Sequence, residues 1–161
     1  MKTYAAIAVV LALVALTVGP TALPAAPAKD KEAKDSKDDA KKFEGDWTFT
    51  AWETNGQALP KEILEITKWS VKGDKYKFQM GETEEEGTIK LDPAKKPATI
   101  DLAITSGNDS GKDQVGIYKF DGESLVICLA RPGVKDRPTE FKTTEEDGQI
   151  LVTIKRNKKD D

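Results

Sequence analysis

The sequence predicts an all-β domain, an antiparallel up-and-down β-barrel of eight or nine strands. Three observations carry this expectation. Between Phe43 and Arg156 apolar residues recur mainly at period two, in short blocks. Turn-forming pairs separate the blocks, among them Asn55-Gly56, Gly73-Asp74, Asp92-Pro93 and Asp121-Gly122. No segment of that region has a long helical period. Parallel strands need crossovers that such short connections do not supply, so a meander is expected. Closing the sheet also removes its exposed edges, which favours a barrel over an open sheet.

The folded part opens at Gly45-Asp46-Trp47. In small up-and-down barrels a Gly-x-Trp often starts the first strand, with the indole plugging one end. The alternation places Trp47, Phe49 and Ala51 on one face, and Thr48, Thr50 and Trp52 on the other. Asn55-Gly56 turns the chain, because both residues tolerate positive φ. Pro60 to Leu64 reads as a short helical turn with Pro60 at its first position. Trp69 and Val71 belong to the next strand. After Gly73-Asp74, the residues Tyr76, Phe78 and Met80 alternate with Lys75, Lys77 and Gln79. This is the clearest half-exposed strand in the chain.

Glu84 to Leu91 forms the following block, with Ile89 and Leu91 on one side. Asp92-Pro93 and Pro97 bracket a polar loop, after which Ile100, Leu102 and Ile104 alternate with Asp101 and Ala103. The glycine-rich loop Ser106 to Asp113 leads into a hairpin, Val115 to Phe120 and Ser124 to Ala130, turning at Asp121-Gly122. Arg131 to Arg137 reads as a loop. Thr139 to Thr143 and Gln149 to Arg156 are the closing strands, the last with Ile150, Val152 and Ile154 on one face.

Upstream of this domain the chain reads as a targeting segment. Met1-Lys2 is a short positive start, and Tyr4 to Val18 is apolar and uncharged. Gly19-Pro20 breaks the run, and Ala26-Pro27-Ala28 offers the small residues a signal peptidase reads. The apolar stretch is about 15 residues, short of the roughly 20 that span a bilayer. Residues 1–28 are therefore expected to be a signal peptide, leaving no stable membrane span after cleavage and a periplasmic or extracellular protein. Residues 29–42 (KDKEAKDSKDDAKK) lack any large apolar side chain and are expected to be a charged, disordered linker. Residues 43–156 make the barrel domain and 157–161 a polar tail.

Composition removes several function classes. There are 25 Lys and Arg against 28 Asp and Glu, for a net charge of −3. A nucleic-acid partner needs a strongly basic face, so none is expected. The chain has no histidine, the commonest general base and transition-metal ligand. Without it the serines and threonines lack an activating base. Paired carboxylates remain as the route to an enzyme, but no catalytic residue, metal or cofactor is assigned. Cys128 is the sole cysteine, so no internal disulfide forms; set between Ile127 and Leu129, it reads as a buried inert thiol.

Other motifs have structural explanations. Glu84-Glu85-Glu86 reads as a solvated turn, because consecutive strand residues point to opposite faces and do not converge on a cation. Asn108 to Asp113 lacks the alternating acidic ligands and distal glutamate of a calcium loop. Gly111-Lys112 is followed by Asp113 rather than Ser or Thr, which excludes a phosphate loop. Gly45, Trp47 and Arg156 are expected to close one barrel end, with the Arg156 guanidinium stacked on the Trp47 indole.

A longer set of landmarks runs through the domain in order. It comprises Gly45-x-Trp47, Gly56-x-x-Leu59-Pro60, Glu86-Gly87-Thr88, Leu91-Asp92-Pro93, Lys96-Pro97 and Ile100-Asp101-Leu102. It continues with Gly116-Ile117-Tyr118, Asp121-Gly122, Leu125, Ile127-Cys128-Leu129-Ala130, Arg131-Pro132-Gly133 and Arg137-Pro138-Thr139-Glu140-Phe141. Together these resemble a family of small uncharacterised, often exported lipocalin-like domains expanded in planctomycete bacteria. The resemblance implies a lipocalin-like barrel and brings no catalytic residues with it.

Two functions follow as expectations. The first is an exported, non-enzymatic lipocalin-like barrel that holds a small apolar or amphipathic ligand against Phe49, Tyr76, Phe78, Ile100, Leu102, Tyr118 and Leu129. The second is a cell-envelope protein-interaction module with a solid core. Its recognition surface would be the 131–141 loop, through Arg131, Arg137 and Phe141; a structural use of Arg137, paired with Glu140 or another carboxylate, competes with that.

Overall fold

Nine antiparallel strands form one sheet, and eight of them close into a barrel. The computed structural model describes residues 37–157. The strands are β1 (Gly45–Thr54), β2 (Gln57–Ala58), β3 (Thr67–Lys72), β4 (Lys75–Met80) and β5 (Thr83–Asp92). They continue with β6 (Ala98–Ser106), β7 (Asp113–Asp121), β8 (Ser124–Leu129) and β9 (Ile150–Arg156). From β3 onward each strand pairs with its neighbour in sequence, and β1 closes the ring by pairing with both β3 and β9. The two-residue β2 only extends the β1 hairpin, whose turn has positive φ at both Asn55 (51°) and Gly56 (70°).

Among the described residues, two helical segments accompany the sheet: α1 at residues 37–43 and α2 at Lys61–Glu65. Pro60 caps α2 from outside rather than occupying its first turn; its carbonyl accepts from the Ile63 and Leu64 amides. Residues 37–42 were expected in a disordered linker and are instead helical. The helix earns its place through a residue just beyond that charged run. Phe43 is fully buried, edge-on to Tyr118 at 5.0 Å, Phe120 at 5.6 Å and Trp69 at 6.2 Å. The expected signal peptide, the rest of the linker and residues 158–161 lie outside the described residues.

Three local expectations are corrected. In β1, Phe49 pairs with Ile154 and Ala51 with Thr153, so Thr50 is an extra residue in a β-bulge. The bulge reverses the inward phase: Ala51 is exposed and Trp52 packs on the core instead. Glu84-Glu85-Glu86 is strand rather than turn. Glu84 and Glu86 both hold Lys77 outside the barrel, while Glu85 faces the other way. Thr139–Thr143 forms no strand. It belongs to a long β8–β9 connection that lies over the outer face of β7 and β8. There the paired residues Ile117 and Cys128 are buried although they point away from the barrel interior. The Cys128 thiol meets the Lys142 carbonyl at 3.6 Å, and the Lys119 ammonium sits 4.7 Å from the Phe141 ring.

The two ends of the barrel differ. At one end α1, Trp47 and Arg156 close the floor. The Trp47 Nε1–H donates to the Phe43 carbonyl at 2.8 Å, and the Arg156 guanidinium lies 5.2 Å from the indole centre. Arg156 also donates to the Lys42 carbonyl at 2.5 Å, tying the last strand to α1. Gly45 has a φ of 128°, a conformation that favours glycine, and its Cα faces the Arg156 stem. The other end carries the β4–β5 turn, the β6–β7 loop and the start of the β8–β9 connection.

Candidate functional site

The upper half of the barrel holds a cavity of about 270 Å³. Phe43, Tyr118 and Phe120 pack together at the closed end and do not line it. Phe49, Trp52 and Phe78 form one wall, with centroids 5.4–6.0 Å apart. Ile100, Leu102, Ile127 and Leu129 line it from β6 and β8, Ile150, Val152 and Ile154 from β9 beside β1, and Trp69 and Tyr76 also line the space. Met80, Thr83, Glu84, Asn108, Asp109 and Pro132 line it from the loop end.

Six of the seven expected pocket residues line this cavity: Phe49, Tyr76, Phe78, Ile100, Leu102 and Leu129. Tyr118 does not. It points inward but sits at the closed end, where Phe43 covers its ring and its hydroxyl donates to Asp39 at 2.7 Å. The expectation for Tyr118 failed because it required α1 to be absent.

The polar groups at the cavity are few and directed. Tyr76 is buried, and its hydroxyl donates to Glu85 Oε1 at 2.8 Å. Burial is the main cause that pushes the phenol pKa far up, and the Glu85 carboxylate adds to it. Burial likewise raises the Glu85 pKa, the Tyr76 hydrogen bond opposes that rise, and the charge of Asp109 adds to it. Gln114 is only 5% exposed; its Nε2 donates to the Ala130 carbonyl at 2.7 Å. That bond orients the amide, and the Gln114 oxygen accepts no hydrogen bond from the described residues.

Sequence reasoning missed Glu85, Gln114 and Asp109 as cavity groups. The first two carried a signal: Glu85 shares its parity with Ile89 and Leu91, and Gln114 with Tyr118. Asp109 lies in a loop, where strand parity gives no guide.

The proposed recognition loop is organised differently from a free surface. Arg137 donates to the Ile100 carbonyl at 3.0 Å and the Gly116 carbonyl at 2.6 Å, and pairs with Asp101 at 2.5 Å. The partner is therefore Asp101 and not Glu140, which pairs with Lys142. Arg131 lies against Gly148, where any side chain would collide with its guanidinium. Phe141 is half-buried beneath Lys119. Arg137 and Phe141 hold the loop to the barrel wall, and Arg131 packs within the β8–β9 connection itself.

No protein-family model matches the chain, and the searches of curated proteins and of solved structures returned no match either. The class is therefore defined by the geometry alone: a closed antiparallel barrel, stopped at one end.

Proposed function

We propose that this protein is an exported, non-enzymatic lipocalin-like barrel that holds a small amphipathic molecule in its interior. One observation carries the reading. The cavity is walled by aromatic and aliphatic side chains, is stopped at one end, and has polar groups confined to a few positions, as small-molecule sites typically do. Its volume of about 270 Å³ lies just under the roughly 300–1,000 Å³ of drug-sized sites, so a short chain or a single ring suits it. A solid core would have filled this space, since interiors otherwise pack to crystal-like density. Export is supported by the apolar N-terminal run followed by Ala26-Pro27-Ala28.

The envelope-interaction reading has less support, because Arg137, its central residue, is engaged with the barrel wall. Organic extraction of the purified protein, followed by mass spectrometry, tests the proposal. A stoichiometric small molecule should appear, and should be lost when Leu102→Trp fills the cavity. Repeated recovery of empty protein, with no small amphiphile binding, would remove it.

A further inference from the structure

We propose that the cavity selects an amphiphile whose polar end is a protonated amine, with the ammonium placed at Glu85. This rests on the reading of the barrel as a ligand holder and specifies the ligand.

The charged residues at the cavity are all acidic: Glu85 and, at its mouth, Glu84 and Asp109. Two of them already have cations. Lys77 holds Glu84 at 3.1 Å from outside the barrel, and Lys112 holds Asp109 at 2.7 Å. Glu85 has no cation among the described residues; its hydrogen bond comes from the neutral Tyr76 hydroxyl. A half-buried carboxylate in that position is incompletely compensated, and a cation brought by the ligand completes it. The second observation is independent. Gln114 is almost wholly buried among the lining residues; one amide hydrogen goes to the Ala130 carbonyl, and its oxygen accepts no hydrogen bond from the described residues. The Glu85 carboxylate and the Gln114 oxygen can therefore both accept from a donor on the ligand.

The same arrangement excludes the opposite class. A carboxylate amphiphile of equal length would place its negative charge against Glu85 and Asp109, with no lining lysine or arginine to receive it. An alcohol satisfies the acceptors without the charge and should fall between the two.

The test is calorimetric titration of the purified protein with hexylamine, hexanol and hexanoate at neutral pH and low salt. Hexylamine should bind about tenfold more tightly than hexanol, the ratio of a charge-assisted to a neutral hydrogen bond. Hexanoate should be the weakest. Glu85→Gln keeps an oxygen for Tyr76 and should bring hexylamine and hexanol within about twofold of each other. Glu123→Gln makes the same charge change at the exposed β7–β8 turn of the closed end and should leave the preference intact. Unfolding curves verify that both variants fold.

Equal binding of all three ligands would overturn the amine assignment while leaving an occupied cavity. Failure of all three would overturn the occupied cavity itself. A preference that survives Glu85→Gln, or that Glu123→Gln abolishes as well, would assign it to overall charge and overturn the role of Glu85.

Discussion

Removing the Arg137 side chain by Arg137→Ala should destabilise the domain by about 2–4 kcal/mol. The figure follows from three contacts. The guanidinium donates to the carbonyls of Ile100 and Gly116, which face each other across β6 and β7, and pairs with Asp101. A hydrogen bond to a charged group contributes roughly 1.5–3 kcal/mol when well shielded. The Arg137 side chain is 30% exposed and the Asp101 side chain 41%, so the ion pair is screened and adds less than about 1 kcal/mol. Most of the effect therefore comes from the two carbonyls and from release of the connection covering Ile117 and Cys128. For a domain of this size the corresponding fall in Tm is on the order of 10 °C. Urea and thermal unfolding followed by tryptophan fluorescence measure it. Arg137→Lys keeps the charge but not the fork and should recover only part of the loss. A change under about 0.5 kcal/mol for Arg137→Ala, the usual scale of an innocuous surface substitution, would refute the pinned-loop account. It would also return Arg137 to the recognition reading.

Three further outcomes are expected. Gly87→Ala should destabilise by about 2 kcal/mol or more, because its Cβ would stand 2.3 Å from the Ala103 carbonyl oxygen and 2.6 Å from the Tyr76 ring; denaturant titration measures this. Cys128, fully buried and with its thiol pKa pushed up to about 11 mainly by burial, should resist a disulfide reagent at neutral pH in the folded protein and react on unfolding. The raised Glu85 pKa means that the folded state holds this proton more tightly than the unfolded chain. Its favourable contribution is full below the ordinary carboxylate pKa and is lost as pH rises through the raised native value. Tyr76 and Asp109 face this group, and Lys112 is held by Asp109. Glu85→Gln should therefore gain stability relative to the parent as pH rises from acid to neutral, measured by unfolding at several pH values.

The barrel itself was legible because its signals are local. Period-two blocks and turn pairs specify strands and hairpins from neighbouring residues, and Tyr76 to Met80 reads the same way in sequence and structure. The failures involve events that alternation does not encode. One extra residue at Thr50 turned Trp52 inward, and nothing in the local composition marks the bulge. The charged residues before Phe43 have no apolar face of their own, yet helix α1 forms where that ring has a hydrophobic floor to enter. The β8–β9 connection was split into loop and strand because Thr139–Thr143 alternates weakly; its actual cover, over Ile117 and Cys128, is a tertiary contact. For the cavity, six lining residues followed from parity alone. Glu85 stands in a run of three acids, which masks the face it shares with Ile89.

Ligand holding by this barrel requires that a small amphiphile enter its upper half. Methyl NMR spectra recorded during a hexylamine titration measure this residue by residue. The predicted result is saturable shifts at Ile100, Leu102, Ile127, Leu129 and Val152, which line the cavity, with Ile66 and Val134, exposed outside it, unmoved. Shifts confined to Ile66 and Val134, or none at saturating ligand, would contradict it.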